Sequence, residues 1–132
     1  MVSFFNGKPQ RMSGFTLIEL LVVLAIMALL LTLAVPRYYG QVEAAKEAVL
    51  IENLRQVREV TQRFYGDTGR HPRSLEELVE RRYLHRLPVD PLTDSSATWK
   101  IESPPEGYGE GVYDLHSGAP GTGANGVPYG DW

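Results

Sequence analysis

Two patterns of apolar residues run through the first half of the chain. From Phe15 to Val35 the residues are apolar on every helical face, interrupted only by Thr16, Glu19 and Thr32. At about 1.5 Å per residue this stretch is about 31 Å long, the thickness of a bilayer's hydrocarbon core. A membrane-spanning helix is predicted. Beyond it, Leu50, Leu54, Val57, Val60 and Phe64 recur at helical spacing, while Glu52 with Arg55, Arg55 with Glu59, and Glu59 with Arg63 stand three or four residues apart. That is an amphipathic helix, with one face for a core and one for water. Joined, the two segments make a helix from Phe15 to about Tyr65, about 75 Å long. Pro36 removes one backbone donor and crowds the turn near Thr32, so a kink or loosened stretch is expected there, reinforced by Gly40.

Breakers in "GDTGRHP", Gly66 to Pro72, end that helix. Ser74 and Glu77 are spaced as a capping box for a short helix over "LEELVERRYL", with Leu75, Leu78, Val79 and Leu84 as its apolar face. The two prolines of "LPVDPLTD", Leu87 to Asp94, exclude regular structure. "ATWKIE" then sets Trp99 and Ile101 against Lys100 and Glu102, and "GVYDLHS" sets Tyr113 and Leu115 against Asp114 and His116. These read as an antiparallel pair of strands, joined across "SPPEGYGEG" and packed on the long helix. The tail from Gly118 to Trp132 is glycine-rich, yet Tyr129 and Trp132 would be costly to leave in water. An ordered loop is expected, and the fold class is α+β.

Composition narrows the role. At 132 residues there is room for one small domain beside the apolar segment. A formal net charge of -3 and the lack of a basic stripe argue against nucleic acid as a partner. Without cysteine there is no disulfide and no thiolate metal site, although an oxidising compartment remains open. His71, His85 and His116 lack metal-ligand spacing, and no metalloprotease, P-loop or nucleophile-elbow motif occurs. "GAPGTG", Gly118 to Gly123, has no strand and helix around it to cradle a phosphate. No catalytic residue and no enzymatic activity are expected.

Glu19 is the anomaly, since a carboxylate in mid-bilayer costs about 2.5 to 3.5 kcal/mol. One reading places it near the interface, reaching the headgroups. The other has the chain cut after Gly14, so that a new amine at Phe15 lies one turn away and pairs with Glu19 of the same or a neighbouring chain. An ordinary signal peptide is disfavoured, because Pro36, Arg37, Tyr38 and Tyr39 follow the apolar run where a small-residue cleavage site belongs. Lys8 and Arg11 ahead of the segment favour a cytoplasmic N-terminus, a bias weakened by Arg37 and Lys46 behind it.

The string Gly14-Phe15-Thr16-Leu17-Ile18-Glu19, the basic leader before it, and Pro36 as the twenty-second residue counted from Phe15 resemble the class III signal of type IV pilins and type II secretion pseudopilins. The order of long helix, turn with Pro72, short helix, "RLPVDP", hairpin and glycine-rich loop ending in "DW" is similar to the major pseudopilins. The resemblance implies a leader, residues 1 to 14, removed by a prepilin peptidase between Gly14 and Phe15, with Phe15 then N-methylated. It implies a transmembrane and filament-core segment over residues 15 to 36, and a periplasmic domain over 37 to 132. Glu19 and Pro36 would serve assembly. Implied partners are copies of the chain itself, other pseudopilins and the inner-membrane secretion platform, in a filament that drives protein export. Major pseudopilins commonly hold calcium in the C-terminal loop, for which Asp114, Ser117, Asn125 and Asp131 are the candidate ligands here, although Pro120 stands where the family commonly offers an acid. The alternatives are a major or minor type IV pilin, serving adhesion, motility or DNA uptake, and a single-span membrane protein with a small exported binding domain.

Overall fold

The computed structural model describes residues 2–4, 6–9 and 11–132. Helix α1 runs over Leu17–Thr68, helix α2 over Leu75–Glu80, strand β1 over Lys100–Glu102 and strand β2 over Asp114–His116, with a 3-10 turn at Tyr129–Asp131. Two compact units result, the first ending at Tyr39 and the second running from Gly40 to Trp132.

Every described residue of the first unit is exposed. Its helical part holds one stretch long and apolar enough to cross a bilayer, none of it buried within the chain. The loosening expected near Pro36 does not interrupt the helix, which continues through Pro36 and Gly40. A proline deletes a single amide hydrogen bond, and the turns on either side keep theirs. At the preceding turn the Thr32 hydroxyl donates back to the Ala28 carbonyl at 2.9 Å.

The second unit is built on the amphipathic part of α1. Leu50, Leu54, Val57, Val60 and Phe64 are all buried, as their spacing predicts, and they meet Leu75, Leu78, Leu84, Trp99, Val112, Leu115, Ala119 and Tyr129 in one core. Helix α1 runs two residues beyond Gly66 and stops at Gly69, whose φ of 74° turns the chain while its amide still donates to the Tyr65 carbonyl at 2.8 Å.

Ser74 caps α2 by accepting the Glu77 amide at 3.3 Å. The capping box closes by half only. The Glu77 carboxylate takes the Arg73 amide at 2.7 Å, and the Arg70 guanidinium, in place of the Ser74 amide. Helix α2 ends at Glu80, short of the predicted Leu84, because Arg82 adopts a left-handed φ of 62°. Tyr83 and Leu84 then both donate to the Leu78 carbonyl, at 2.8 and 3.0 Å, which still buries Leu84 and sets the Tyr83 ring 5.2 Å from that of Phe64.

Strands β1 and β2 pair antiparallel with Ile101 opposite Leu115. Alternation misplaces two side chains, since Ile101 and Tyr113 are about half exposed while Trp99, Val112 and Leu115 are buried. A two-stranded ribbon of three residues per strand covers little of its own surface. The tail is ordered, as expected. The Trp132 ring meets Tyr129 edge-on at 5.2 Å, and its indole N–H donates to the Val127 carbonyl at 3.1 Å. Any side chain at Gly123 would collide with that indole.

Candidate functional site

Thr16 starts α1. Its carbonyl accepts the Leu20 amide at 3.2 Å and its hydroxyl oxygen accepts the Glu19 amide at 3.1 Å, so Thr16 is the N-cap and Glu19 the third helical residue. A carboxylate there faces the unpaired amides and the positive end of the helix dipole, an interaction of about 0.3 to 1 kcal/mol at an exposed site. This local role of Glu19 is legible in Thr16-x-x-Glu19, the same spacing as Ser74-x-x-Glu77, although charge and membrane depth alone do not suggest it.

The cap also determines the state of the bond before it. Gly14 and Phe15 precede the helix, Phe15 is 90% exposed, and the space beside Gly14 is open among the described residues. Both residues lie outside the helix, so this bond is accessible without any unwinding. Gly14, Phe15 and Glu19 are thus gathered at one helix start, whereas Pro36 lies about 26 Å further along the helix.

The predicted calcium ligands are arranged otherwise than expected. Asp114 Oδ1 accepts from Arg58 Nε at 2.7 Å, and Arg58 Nη2 donates to the carbonyls of Leu115 at 3.1 Å and Trp132 at 2.7 Å. Ser117 is fully buried, and its hydroxyl donates to Asp90 Oδ2 at 2.6 Å while accepting the Ala119 amide at 3.1 Å. Asn125 Oδ1 accepts the Val127 amide at 3.0 Å. Asp131 is exposed and lines a shallow cleft with Asn125, Val127 and Trp132. Three of the four side chains therefore already have partners. Among the described residues, the acidic and imidazole groups close enough to share an ion are Glu102, Asp114 and His116, and Asp114 in that group is bound to Arg58.

His116 joins the strands to the end of the loop. Its Nδ1 lies 2.7 Å from the Trp132 carbonyl oxygen and its Nε2 lies 3.0 Å from Glu102 Oε2. Both partners are acceptors, so making both bonds at once requires the doubly protonated imidazolium. The Glu102 carboxylate raises the His116 pKa most, against partial burial, with help from the Trp132 carbonyl and the Asp114 charge. Within the loop, Glu47 Oε1 accepts the Tyr129 hydroxyl at 2.8 Å and the Ala124 amide at 3.0 Å.

Residues 9–35, which contain the Thr16 cap and the apolar run, match the family described as "Prokaryotic N-terminal methylation motif". A "Type II secretion system core protein G" of Klebsiella pneumoniae is 30% identical over 135 aligned residues, covering 90% of this chain and 89% of that protein. Its namesake in Escherichia coli (strain K12) is 30% identical over 130 residues, covering 84% and 83%. The chain belongs to the type II secretion system core protein G family. A further core protein G, from Pseudomonas aeruginosa, is 28% identical over 145 residues and covers 95% of this chain and 98% of its own. No solved structure matches.

The family expected from "GFTLIE" and from the order of elements is the one found. Within this core protein G chain, the polar residues that organise the loop were missed, namely Glu47, Arg58, Asp90 and His116. A partial signal existed for two of them. Glu47 and Arg58 are eleven residues apart, about three helical turns, and so share one face of α1.

Proposed function

We propose that this chain is the structural subunit of a type II secretion pseudopilus, made as an inner-membrane precursor and assembled, after processing, into a periplasmic filament that drives protein export. Pseudopilin function follows from membership of the core protein G family. The observation that carries the mechanism is the first unit, an apolar helix from Leu17 to Val35 exposed on every face. Such a surface is stable in lipid before assembly and against copies of itself afterwards.

In this reading a prepilin peptidase on the cytoplasmic side cuts the accessible Gly14–Phe15 bond and methylates the new Phe15 amine. Lys8 and Arg11 hold the N-terminus in the cytoplasm and the second unit is exported. Glu19, tolerated in lipid because it sits at the helix start, pairs in the filament with the Phe15 amine of a neighbouring subunit and helps set the axial step. Head-to-tail contact of this kind does not close on itself and generates a helical fibre. Other pseudopilins and the inner-membrane platform complete the assembly. The chain's role is mechanical, and the chemistry of cleavage and methylation belongs to the peptidase.

The test is expression of the full chain with a prepilin peptidase and secretion platform. Intact-mass spectrometry is expected to show loss of residues 1 to 14 and gain of one methyl group. Glu19→Ala is expected to insert in the membrane yet yield no filaments; a normal filament yield from that variant refutes the pairing, and retention of residues 1 to 14 by the parent chain refutes the processing.

A further inference from the structure

We propose that Arg58 takes the place of a metal ion in the C-terminal loop, so that the loop folds, and the filament assembles, without calcium. Calcium requires six to eight oxygens at about 2.3 to 2.6 Å, carboxylates among them. Here three oxygens from two places in the chain, Asp114 Oδ1 with the adjacent Leu115 carbonyl and the carbonyl of Trp132, converge on one guanidinium at 2.7, 3.1 and 2.7 Å. That group is a planar fork that donates in fixed directions. A dication bound to Asp114 would stand beside this positive charge, whose repulsion cancels much of what that one carboxylate offers, and it would have to displace Arg58 from the same oxygen. Of the other candidates, the Ser117 hydroxyl is buried on Asp90 and Asn125 Oδ1 holds the Val127 amide, which leaves the exposed Asp131 as one carboxylate where calcium needs six to eight oxygens.

The loop has a second attachment of opposite sign. Glu47 grips the Tyr129 hydroxyl and the Ala124 amide from the same face of α1, about three turns before Arg58. One helix face thus supplies a cation that ties the start of the loop to its last residue and an anion that holds the loop between them, at Ala124 and Tyr129. An ion bound within the loop would duplicate what this face already does.

The clause about assembly rests on the pseudopilin reading, whereas the clause about the loop does not, and the experiment separates them. Purified full chain in detergent is melted, following Trp99 and Trp132 fluorescence, in about 5 mM calcium chloride and in chelator; an extracellular-type site of 10⁻⁴ to 10⁻³ M dissociation constant would be well filled there. The two melting temperatures are expected to coincide, and a rise of several degrees with calcium overturns the proposal. Arg58→Ala is expected to lower the melting temperature and to strip hydrogen-exchange protection from the loop amides between Gly121 and Trp132, with Arg58→Lys falling between, since it keeps the charge and loses the fork. Wild-type loop protection in Arg58→Ala overturns the proposal as well. Should Arg58→Ala fail to fold, the calcium comparison on the parent chain decides. Filaments are expected in equal yield with and without chelator. Loss of filaments on chelation alone refutes calcium-free assembly, while absence of filaments in both conditions counts against the pseudopilin reading and leaves the loop to be judged by melting.

Discussion

Leu24 and Leu54 lie on the same helix, yet Leu24 is 53% exposed and Leu54 is 2% exposed. The first belongs to a stretch with apolar residues on all faces, none of it buried by the described residues. The second belongs to a single stripe, opposite which α2, the strands and the loop provide a core. Apolar content alone therefore made both segments helical, and the angular distribution of that content separated them. A stripe can be satisfied within one chain, whereas a surface that is apolar all round needs lipid or other chains. The first half of α1 presents its apolar surface outward, and the second buries its stripe within the chain.

The sharpest way to break this comparison is to truncate one large side chain in each region. Phe64→Ala, at a fully buried position, is expected to cost about 3 to 5 kcal/mol, a large part of a typical small-domain stability of 5 to 15 kcal/mol. Leu24→Ala is expected to leave the melting of the second unit unchanged. Thermal unfolding of the full chain in detergent checks both, and equal destabilisation by the two would abolish the distinction.

A smaller effect tests whether the second unit also depends on local signals. Ser74→Ala removes the hydroxyl that accepts the Glu77 amide, at an expected cost of about 1 kcal/mol. For a domain of this size that lowers the melting temperature by about 4 to 8 °C. Ser74→Asp should recover most of the loss by accepting the same amide.

The smallest expected effect is pH dependence, and it also belongs to the second unit. The folded-state pKa of His116 is raised above 6.5, chiefly by Glu102. Its contribution to stability is therefore complete below 6.5 and is lost as pH rises through the higher folded value. Loop stability, read by hydrogen exchange of the amides near Trp132, should fall as pH rises above 6.5 through the folded value, and His116→Gln should flatten the profile. Glu77 acts in the opposite window. The Arg70 guanidinium, and then the Arg73 amide, hold its carboxyl down to about 2, so its contribution is present above 4.5 and is lost only as pH falls toward that value.

Much of the fold could be read directly, because its determinants are local. Leu50 to Phe64 gave their burial away through spacing, Ser74 and Leu78 placed α2, and Trp132 announced an ordered tail by its chemistry. The failures have equally physical causes. Helix α2 was drawn four residues too long because the turn at Arg82 buries Leu84 just as a further helical turn would have. Ile101 and Tyr113 were assigned to the core because alternation distinguishes the two faces of a strand without saying how much covers either. The resemblance implied four loop oxygens as calcium candidates but no partners for them within the chain; in space Asp114 meets Arg58 and Ser117 meets Asp90.

By itself the sequence determined the helix, its apolar and amphipathic halves, the methylation motif over residues 9–35 and the family. Each of these is a matter of residue type at short, regular spacing, which the geometry of a helix converts into a face or an end. Only the tertiary structure decided what holds the loop, since Arg58 finds Asp114 56 residues on and Glu47 finds Tyr129 82 residues on. No local period couples such pairs. They meet because the buried stripe of α1 brings the loop against the helix, and charge then selects its partners from whatever that packing has brought within reach.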